Sequence, residues 1–356
     1  MRKAGEEMFY IRADGNTDIG MGHIMRCLSI AEAAYSITGE RPVFLLADAD
    51  CAPMIADRGF AARVLHTDYR EPEAELPMLS ALLQRDDVLL ADSYQAQPAY
   101  YRALRQSCRV ACMEDMGIPY PVDLLINYNL YGPKLREAYT QGNADAIPDG
   151  LLLGVDYMPL RADFQTDIAY TVKDKVTDVM ITTGGSDPHF AAGALLERLV
   201  NSDMETEVRY HVVIGPFNTF AKALRLQYEA CEAVVLHENV KDMKALMKAC
   251  DVVITATGST LYEVSALGVP MICFYFAENQ RQGAEELARL TDIINAGCFA
   301  THWEETVENV SQALLRCIRD KAYRQALYRQ EQQLVDGAGA VRIAKAVLRL
   351  TNEKRI

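Results

Sequence analysis

Short apolar runs alternate along the first half of the chain with stretches that have a helical period. The predicted strands are FYIRAD, PVFLLAD, ARVLHT, DVLLAD, RVACMED and LLINY. The stretch from Ile24 to Ser36 is typical of the helices predicted between them. Its apolar Leu28, Ala31 and Tyr35 recur at three- and four-residue steps. Such alternation is typical of parallel sheets built through right-handed crossovers, so this half is predicted to be one α/β domain.

The same alternation resumes after a stretch without it. PDGLLLGVDYMPLRADF, with two Pro and two Gly, is predicted to connect two domains. TDVMITTGG, VRYHVVIG, AVVLHE, DVVITA and PMICFYF are the predicted strands of the second half. A last helix, entered through DGAGA, is predicted over residues 336–350.

The predicted architecture is therefore α/β, with two doubly wound Rossmann-like domains facing a cleft. The first domain spans residues 8–155 and the second 170–335, and the segment 336–356 is expected to pack back on the first. In such sheets ligands bind at the carboxyl ends of the strands.

Composition and charge limit the class of protein. Of 356 residues, 50% are apolar and 24% charged, which predicts a folded, soluble protein. The formal charge of -13 argues against a broad nucleic-acid or acidic-lipid surface, although backbone amides could still bind a polyanionic small molecule. No apolar run approaches the roughly 20 residues of a membrane span, so we expect a cytoplasmic protein without stable membrane insertion. The sequence leaves the oligomeric state open.

Cysteine and histidine spacing predicts no resident metal or cofactor. The nine Cys include no C-x-x-C pair, and the six His include no H-x-x-x-H pair. We expect reduced thiols and no structural zinc. A divalent ion held by a substrate diphosphate would leave little trace in sequence, so that alternative stays open.

The first of three Gly-rich turns is RADGNTDIGMGHIMRC, at residues 12–27. Gly20 and Gly22 would let a ligand approach the backbone and the helix amides that follow. Met25 occupies the position where the dinucleotide fingerprint needs a small residue, and no Gly-Lys-Ser/Thr follows. The turn is predicted to be a ligand-binding loop, with an ordinary tight turn as the alternative.

His23 is the candidate general base of this turn. A helix N-terminus disfavours imidazolium, so the ring would stay neutral and able to accept a proton. Asp14, at the strand end, is predicted to orient the ring or bind substrate. Arg26, three residues after His23, is a candidate substrate contact, although a solvated Arg is the alternative.

The second turn is VMITTGGSDPHF, at residues 179–190. Gly184 and Gly185 predict close passage of a ligand, with Ser186 beside them. Ser186 or Asp187 could cap a helix that has Pro188 in its first turn.

The third turn, DVVITATGSTLYEVSALGVPMICF, predicts a diphosphate site without any Lys. Gly258, Ser259 and Thr260 would present amides and hydroxyls at a helix start. Glu263 could accept hydrogen bonds from a ribose diol, or complete a capping box instead. The helix is predicted to stop at Gly268.

Three further polar residues follow predicted strands. Asn279 and Gln280 lie beyond PMICFYF, where amides suit a sugar's hydroxyl or acetamido groups. Tyr94, in LLADSYQ after another strand, could stack on a sugar ring. Ordinary loop or half-buried positions are the alternatives.

Five motifs in order resemble a known family. RADGNTDIGMGHIMRC, GGSDPHF, the Ser-Thr-x-x-Glu helix, AENQ and DGAGAVRI resemble the UDP-2,4-diacetamido-2,4,6-trideoxy-altrose hydrolases of pseudaminic acid biosynthesis, over nearly the whole chain. That family is similar to the lipid-linked GlcNAc transferase of peptidoglycan synthesis, with its glycosyltransferase-B fold, and to spore-coat polysaccharide proteins.

The resemblance implies hydrolysis of a UDP-linked diacetamido sugar by water attack at the anomeric carbon. It places the catalytic His at His23, the UDP-binding helix at Glu263, and the sugar site at Asn279 and Tyr94. A UDP-sugar-dependent glycosyltransferase of the same fold is the leading alternative. A nucleotide-sugar-binding protein without chemistry is another, and the incomplete fingerprint disfavours a dehydrogenase.

Overall fold

The structure, a computed structural model, describes residues 7–16, 19–141, 146–165, 170–202 and 207–352, apart from the side chains of Glu278, Asn279 and Asn352. The chain divides into two compact units. Unit 1 comprises Met1–Ala162 with Gly337–Ile356, and unit 2 comprises Asp163–Asp336. Each unit contains one parallel sheet with helices, so the α/β class predicted from the sequence is confirmed.

The two sheets share one strand order. Unit 1 has the order β3-β2-β1-β4-β5-β6-β7, and unit 2 has β10-β9-β8-β11-β12-β13. The strands are β1 Phe9–Ala13, β2 Val43–Leu46, β3 Ala61–Val64, β4 Val88–Asp92, β5 Arg109–Met113, β6 Leu124–Asn127, β7 Leu151–Leu153, β8 Asp178–Thr182, β9 Arg209–Ile214, β10 Val234–Glu238, β11 Val252–Ala256, β12 Met271–Tyr275 and β13 Ile294–Cys298. The order reverses between β1 and β4 and between β8 and β11, which are the points where doubly wound sheets bind ligands.

The described α-helices connect these strands. They are α1 Gly22–Thr38, α2 Ala52–Asp57, α3 Leu76–Leu82, α4 Pro98–Leu104, α5 Arg136–Thr140, α6 Ala191–Val200, α7 Ala221–Tyr228, α8 Met243–Ala249, α9 Ser259–Leu267, α10 Glu278–Leu290, α11 Trp303–Arg319, α12 Lys321–Leu334 and α13 Gly339–Asn352. Within the described ranges, no helix combines the length and the apolar character needed to span a bilayer. The nine Cys are free thiols, most of them buried.

The last helix belongs to unit 1. Helix α13 packs against α1, and Arg342 donates a 2.9 Å hydrogen bond to the carbonyl of Asp156. Gly339 allows this approach, because a Cβ there would lie 2.2 Å from the carbonyl oxygen of Met158.

Two strands differ from the prediction. Leu151–Leu153, predicted as part of an interdomain connection, pairs with β6 as the edge strand β7, so that part of the prediction is wrong. Ile294–Cys298 was not predicted as a strand and pairs with β12. Both segments are short, and each owes its extended form to hydrogen bonds from a neighbouring strand.

Candidate functional site

The turn after β1 forms one wall of a site in unit 1. Asn16 organises it, because its carbonyl accepts a 2.8 Å hydrogen bond from Gly20 N and its side chain accepts one of 3.0 Å from Ile19 N. Gly20 has a φ of 74°, a conformation that favours glycine. Thr17 and Asp18 lie outside the described residues. Helix α1 then begins at Gly22, so His23 occupies a helix N-terminus, as predicted.

His23 contacts a carboxylate that the sequence left without a role. Its Nδ1 lies 2.6 Å from Oδ1 of Asp92, and both side chains are buried. Asp92 is the last residue of β4, and it pairs in register with Ala13 at the end of β1. The switch point of the sheet therefore brings together the turn that carries His23 and the strand end that carries Asp92.

Arg26 holds Asp92 in its charged form. Its guanidinium donates to both carboxylate oxygens at 2.5 Å and to the Tyr128 hydroxyl at 2.7 Å. Burial would raise the pKa of Asp92, but the charge of Arg26 and hydrogen bonds from Arg26 and His23 hold it well below its usual range. Arg26 Nη2 also lies 3.0 Å from His23 Nδ1. We assign the tautomer in which Nδ1–H donates to the ionised Asp92, so that Nε2 is the acceptor nitrogen. Arg26 thus fixes Asp92 beside His23, and substrate contact by Arg26 stays a prediction.

Asp14 does not orient His23, so that predicted role is wrong. Its carboxylate accepts a 2.5 Å hydrogen bond from Nη1 of the buried Arg12 and a 2.8 Å hydrogen bond from Ala47 N. Arg12 is itself held by two hydrogen bonds to Glu75 at 2.8 and 2.9 Å. Asp14 is consequently part of the frame that fixes the end of β1, and substrate contact by Asp14 stays a prediction.

Tyr94 lies directly beside His23. The two ring centroids are 4.7 Å apart at an interplanar angle of 78°, and the Tyr94 hydroxyl donates to Asp115 at 2.8 Å. Tyr94 is 44% exposed, so its ring is available to a ligand. A small pocket lies here, lined by Asp14, Ile19, His23, Tyr69, Asp92, Ser93, Tyr94 and Gln95.

In unit 2, the turns after β8 and β9 pack directly on each other. Gly184 has a φ of 84°, and Phe217 N donates a 2.9 Å hydrogen bond to the carbonyl of Gly185. A Cβ on Gly215 would lie 2.3 Å from the Gly184 carbonyl oxygen. The close contact therefore requires glycine at position 215, and Gly184 is favoured by its positive φ. Gly185 is exposed, and a Cβ there would make only an ordinary 3.8 Å contact with Phe217.

The helix that follows this turn is capped by the chain itself. Helix α6 begins at Ala191, later than predicted, and the buried Asp187 accepts hydrogen bonds from Ala191 N at 2.8 Å and Ala192 N at 3.0 Å. A carboxylate therefore occupies these amides, and the predicted capping by Asp187 is confirmed. Close passage of a ligand at Gly184 and Gly185 stays a prediction. Ser186, beside Gly185, is exposed.

Helix α9 has an N-terminus with no side-chain cap. It begins at Ser259, and its capping residue Gly258 is exposed, with no described atom within 4 Å of where a Cβ would lie. Thr260 follows in the first turn, and the helix ends at Gly268 in the left-handed conformation, as predicted. The capping-box alternative for Glu263 is not what the structure shows. The amides of this first turn are the ones available to an anion.

The remaining predicted residues flank α9. Glu263 lies one turn into the helix and is largely buried. Gln280, in the first turn of α10, accepts a 2.9 Å hydrogen bond from Phe276 N through its side-chain oxygen, so it orders the backbone after β12. The side chain of Asn279 lies outside the described residues.

Comparison with known proteins finds similarity to a glycosyltransferase domain and to a polysaccharide biosynthesis protein. Residues 179–345 match the model of the glycosyltransferase family 28 C-terminal domain. The chain is 25% identical to the spore coat polysaccharide biosynthesis protein SpsG of Bacillus subtilis strain 168, over 97% of this chain and 99% of that protein.

Solved structures show the same architecture. MurG of Acinetobacter baumannii superposes with a TM-score of 0.63 at 13% identity, covering 96% of this chain and 99% of that one. The glycosyltransferase VinC, solved in complex with dTDP, gives a TM-score of 0.62 at 13% identity, covering 97% and 99%. The protein thus has the two-domain α/β fold of glycosyltransferase-B enzymes, as the sequence predicted.

Proposed function

We propose that this protein acts on a nucleotide sugar and moves the glycosyl group from the diphosphate to a hydroxyl oxygen, with His23 as general base. The observation that carries the proposal is the 2.6 Å contact between His23 Nδ1 and Asp92, because it leaves Nε2 to accept a proton. The hydroxyl oxygen attacks the anomeric carbon, and the bond from that carbon to the diphosphate breaks. The bonding electron pair leaves with the diphosphate, and the hydroxyl proton passes to Nε2.

Unit 2 is the proposed nucleotide-binding unit. The match of residues 179–345 to a glycosyltransferase C-terminal domain supports this assignment. The uncapped N-terminus of α9 supplies amides and a positive partial charge that favour a diphosphate. Binding by amides also fits a chain with a formal charge of -13.

The acceptor favoured by these comparisons is a hydroxyl group of another molecule. Both the family model and VinC are described as glycosyltransferases, which supports transfer over hydrolysis. Tyr94, exposed beside His23, would then contact the transferred sugar or its acceptor.

Hydrolysis is the second candidate, and the sequence favours it through the five motifs that resemble the UDP-diacetamido-trideoxy-altrose hydrolases. The small open pocket beside His23 has room for a water molecule. Water would then take the place of the acceptor, and a UDP-linked 2,4-diacetamido-2,4,6-trideoxy sugar would give free sugar and UDP.

Product analysis in oxygen-18 water separates these candidates. The purified protein is incubated with a panel of UDP-sugars, including UDP-diacetamido sugars, and the products are examined by mass spectrometry. A transferase should release little UDP until an acceptor is added. A hydrolase should release UDP without any acceptor, and the free sugar should carry the oxygen-18 label. Label in UDP would mean attack on phosphorus and would contradict both candidates. Binding of a UDP-sugar without any product would indicate a nucleotide-sugar-binding protein instead.

A further inference from the structure

The loop between β8 and α6 is held in an unusual conformation. Phe190, the residue before α6, has a φ of 55°, in the left-handed region that side chains other than glycine rarely adopt. Its ring packs on Gly193, where an added Cβ would lie 2.2 Å from the nearest ring carbon. The ring also contacts that of Phe220, at a centroid distance of 5.1 Å. Asp187 fixes the other side of the loop through its two hydrogen bonds to α6. Backbone strain of this kind persists where the surroundings hold it, and it concentrates at functional sites.

The neighbouring residue His189 lies at the surface of this loop. His189 is exposed, and its ring lies against the ring of Phe276, with a centroid distance of 5.7 Å and an interplanar angle of 33°. Phe276 follows β12 directly and also contacts Phe274 and Phe299. The imidazole is therefore exposed on one side and contacts a cluster of aromatic rings on the other.

The sheet order places this contact beside the end of β11. Strand β11 lies between β8 and β12, so a contact between the loops after β8 and β12 must pass next to the turn that opens α9. That turn carries the uncapped helix N-terminus. In the sequence, the turns 183–190, 257–263 and 276–280 contain no Lys or Arg, and His189 is their one residue able to carry a positive charge.

A second observation at the same edge also indicates a polar ligand. The hydroxyl of Thr183, next to Gly184, is buried and has no hydrogen-bond partner among the described residues. Buried polar groups are usually paired, so this hydroxyl beside an open turn is available to a polar ligand.

We propose that His189 is a diphosphate-binding residue, which donates a ring N–H to a phosphoryl oxygen of the nucleotide seated at the α9 N-terminus. This inference rests on the proposed function. In these Lys- and Arg-free turns the imidazole adds a ring N–H donor to the hydroxyls of Ser259 and Thr260, and its contact with Phe276 positions it before the ligand arrives. As the bond to the anomeric carbon breaks, the same donor stabilises the added charge on the departing diphosphate.

The test compares UDP with uridine, which lacks the phosphates, by calorimetric titration. His189→Ala should weaken UDP binding by about 10- to 100-fold, the range for a hydrogen bond to a charged group, and should leave uridine binding unchanged. His189→Arg should restore most of the UDP affinity. His302→Ala is the matched control, because His302 is an exposed histidine in the loop after β13 that hydrogen-bonds to Thr301, and it should change neither affinity.

Three outcomes would overturn the inference. Unchanged UDP affinity in His189→Ala would show that the ring does not contact the phosphates. An equal loss of UDP and uridine binding would show that the ring only shapes the loop. A lowered melting temperature of His189→Ala would accompany that result. Absence of UDP binding by the unsubstituted protein would instead contradict the proposed function, and the inference with it.

Discussion

At the scale of single residues, Asp92 determines which nitrogen of His23 is available for chemistry. The carboxylate is buried, accepts from both His23 and Arg26, and stays ionised because those donors lower its pKa. A fixed charge on the Nδ1 side keeps the lone pair on Nε2. This arrangement resembles the way an acidic side chain orients a histidine base in serine hydrolases.

Asp92→Asn is therefore expected to lower kcat by about 10²- to 10⁴-fold, because the amide can support the wrong tautomer of His23. KM and UDP affinity should change little, since Asp92 is not proposed to touch the nucleotide. Steady-state kinetics and calorimetry measure the two effects, below the melting temperature of the variant. Asp50→Asn, on an exposed carboxylate after β2, is the control. A variant that keeps its kcat would show that His23 does not need this partner.

The sequence could indicate His23 but not its partner. His23 follows a strand and a Gly-rich loop, which are local signals. Asp92 becomes its neighbour only through the pairing of β1 with β4, and strand order is a long-range property that one sequence does not state. Asp14 was the nearer carboxylate along the chain, and its engagement by Arg12 and Ala47 could not be seen without the fold.

At the scale of elements, the helix ends show how local rules and packing combine. Helices α1 and α9 both end in a left-handed glycine, Gly39 with a φ of 75° and Gly268 with a φ of 70°. The surroundings differ. No described atom lies within 4 Å of a Cβ on Gly39, whereas a Cβ on Gly268 would meet Tyr328 at 2.8 Å and Gln332 at 3.0 Å.

These two caps form a matched pair. Gly39→Ala should lower the free energy of unfolding by about 1 kcal/mol, the conformational cost alone. Gly268→Ala should cost more, by about a further 1 kcal/mol, because the half-buried ring of Tyr328 and the side chain of Gln332 would have to move to admit the added atoms. Urea unfolding, followed through the transition of the unit that carries each substitution, measures the difference. Equal losses would mean that α12 moves aside without cost.

Element boundaries were predictable where the pattern was strong. Both ends of α9 could be predicted because Gly258 and Gly268 are local signals for the start and the end of a helix. Strands β7 and β13 were missed because they are short and one contains Gly297 with a φ of 114°. Their extended form comes from pairing with β6 and β12, which is tertiary information.

At the scale of the whole molecule, the core of unit 2 contains a group whose ionisation would oppose folding. Glu331 is a fully buried carboxyl group of unit 2. Its Oε1 accepts a 3.1 Å hydrogen bond from Met271 N, and its Oε2 has no partner among the described residues. Burial raises the pKa of Glu331 well above its usual range, although the Met271 amide acts in the opposite direction.

The raised pKa makes the stability of unit 2 depend on pH. The folded protein keeps the Glu331 proton where the unfolded chain has lost it, so the stabilisation is complete below the unfolded pKa of about 4.3 and decreases as the pH rises above it. Glu331→Gln keeps the shape without the ionisation. Melting curves between pH 5 and pH 8 should therefore fall less steeply for Glu331→Gln. Glu308→Gln, which removes an exposed pair with Arg198, should keep the original slope. Identical slopes for all three proteins would contradict the assignment.

The arrangement of two similar α/β units was readable from the sequence because strand and helix periods alternate throughout. The packing of α13 on unit 1 depends on Gly339, which lies against the backbone of Met158. The sequence shows the Gly-rich DGAGA entry but not that Met158 lies beside it. The distinction between water and another hydroxyl as acceptor is not a property of the fold, because both reactions use the same base and the same leaving group.

The central claim is that His23 activates the attacking hydroxyl group while residues of unit 2 hold the nucleotide. The most direct measurement is turnover of a UDP-sugar by His23→Ala, together with the UDP affinity of the same variant by calorimetry. We predict that turnover falls by about 10²- to 10⁴-fold and that UDP affinity stays within about twofold of the unsubstituted protein. Full turnover in His23→Ala, or loss of UDP binding in parallel with activity, would contradict the account.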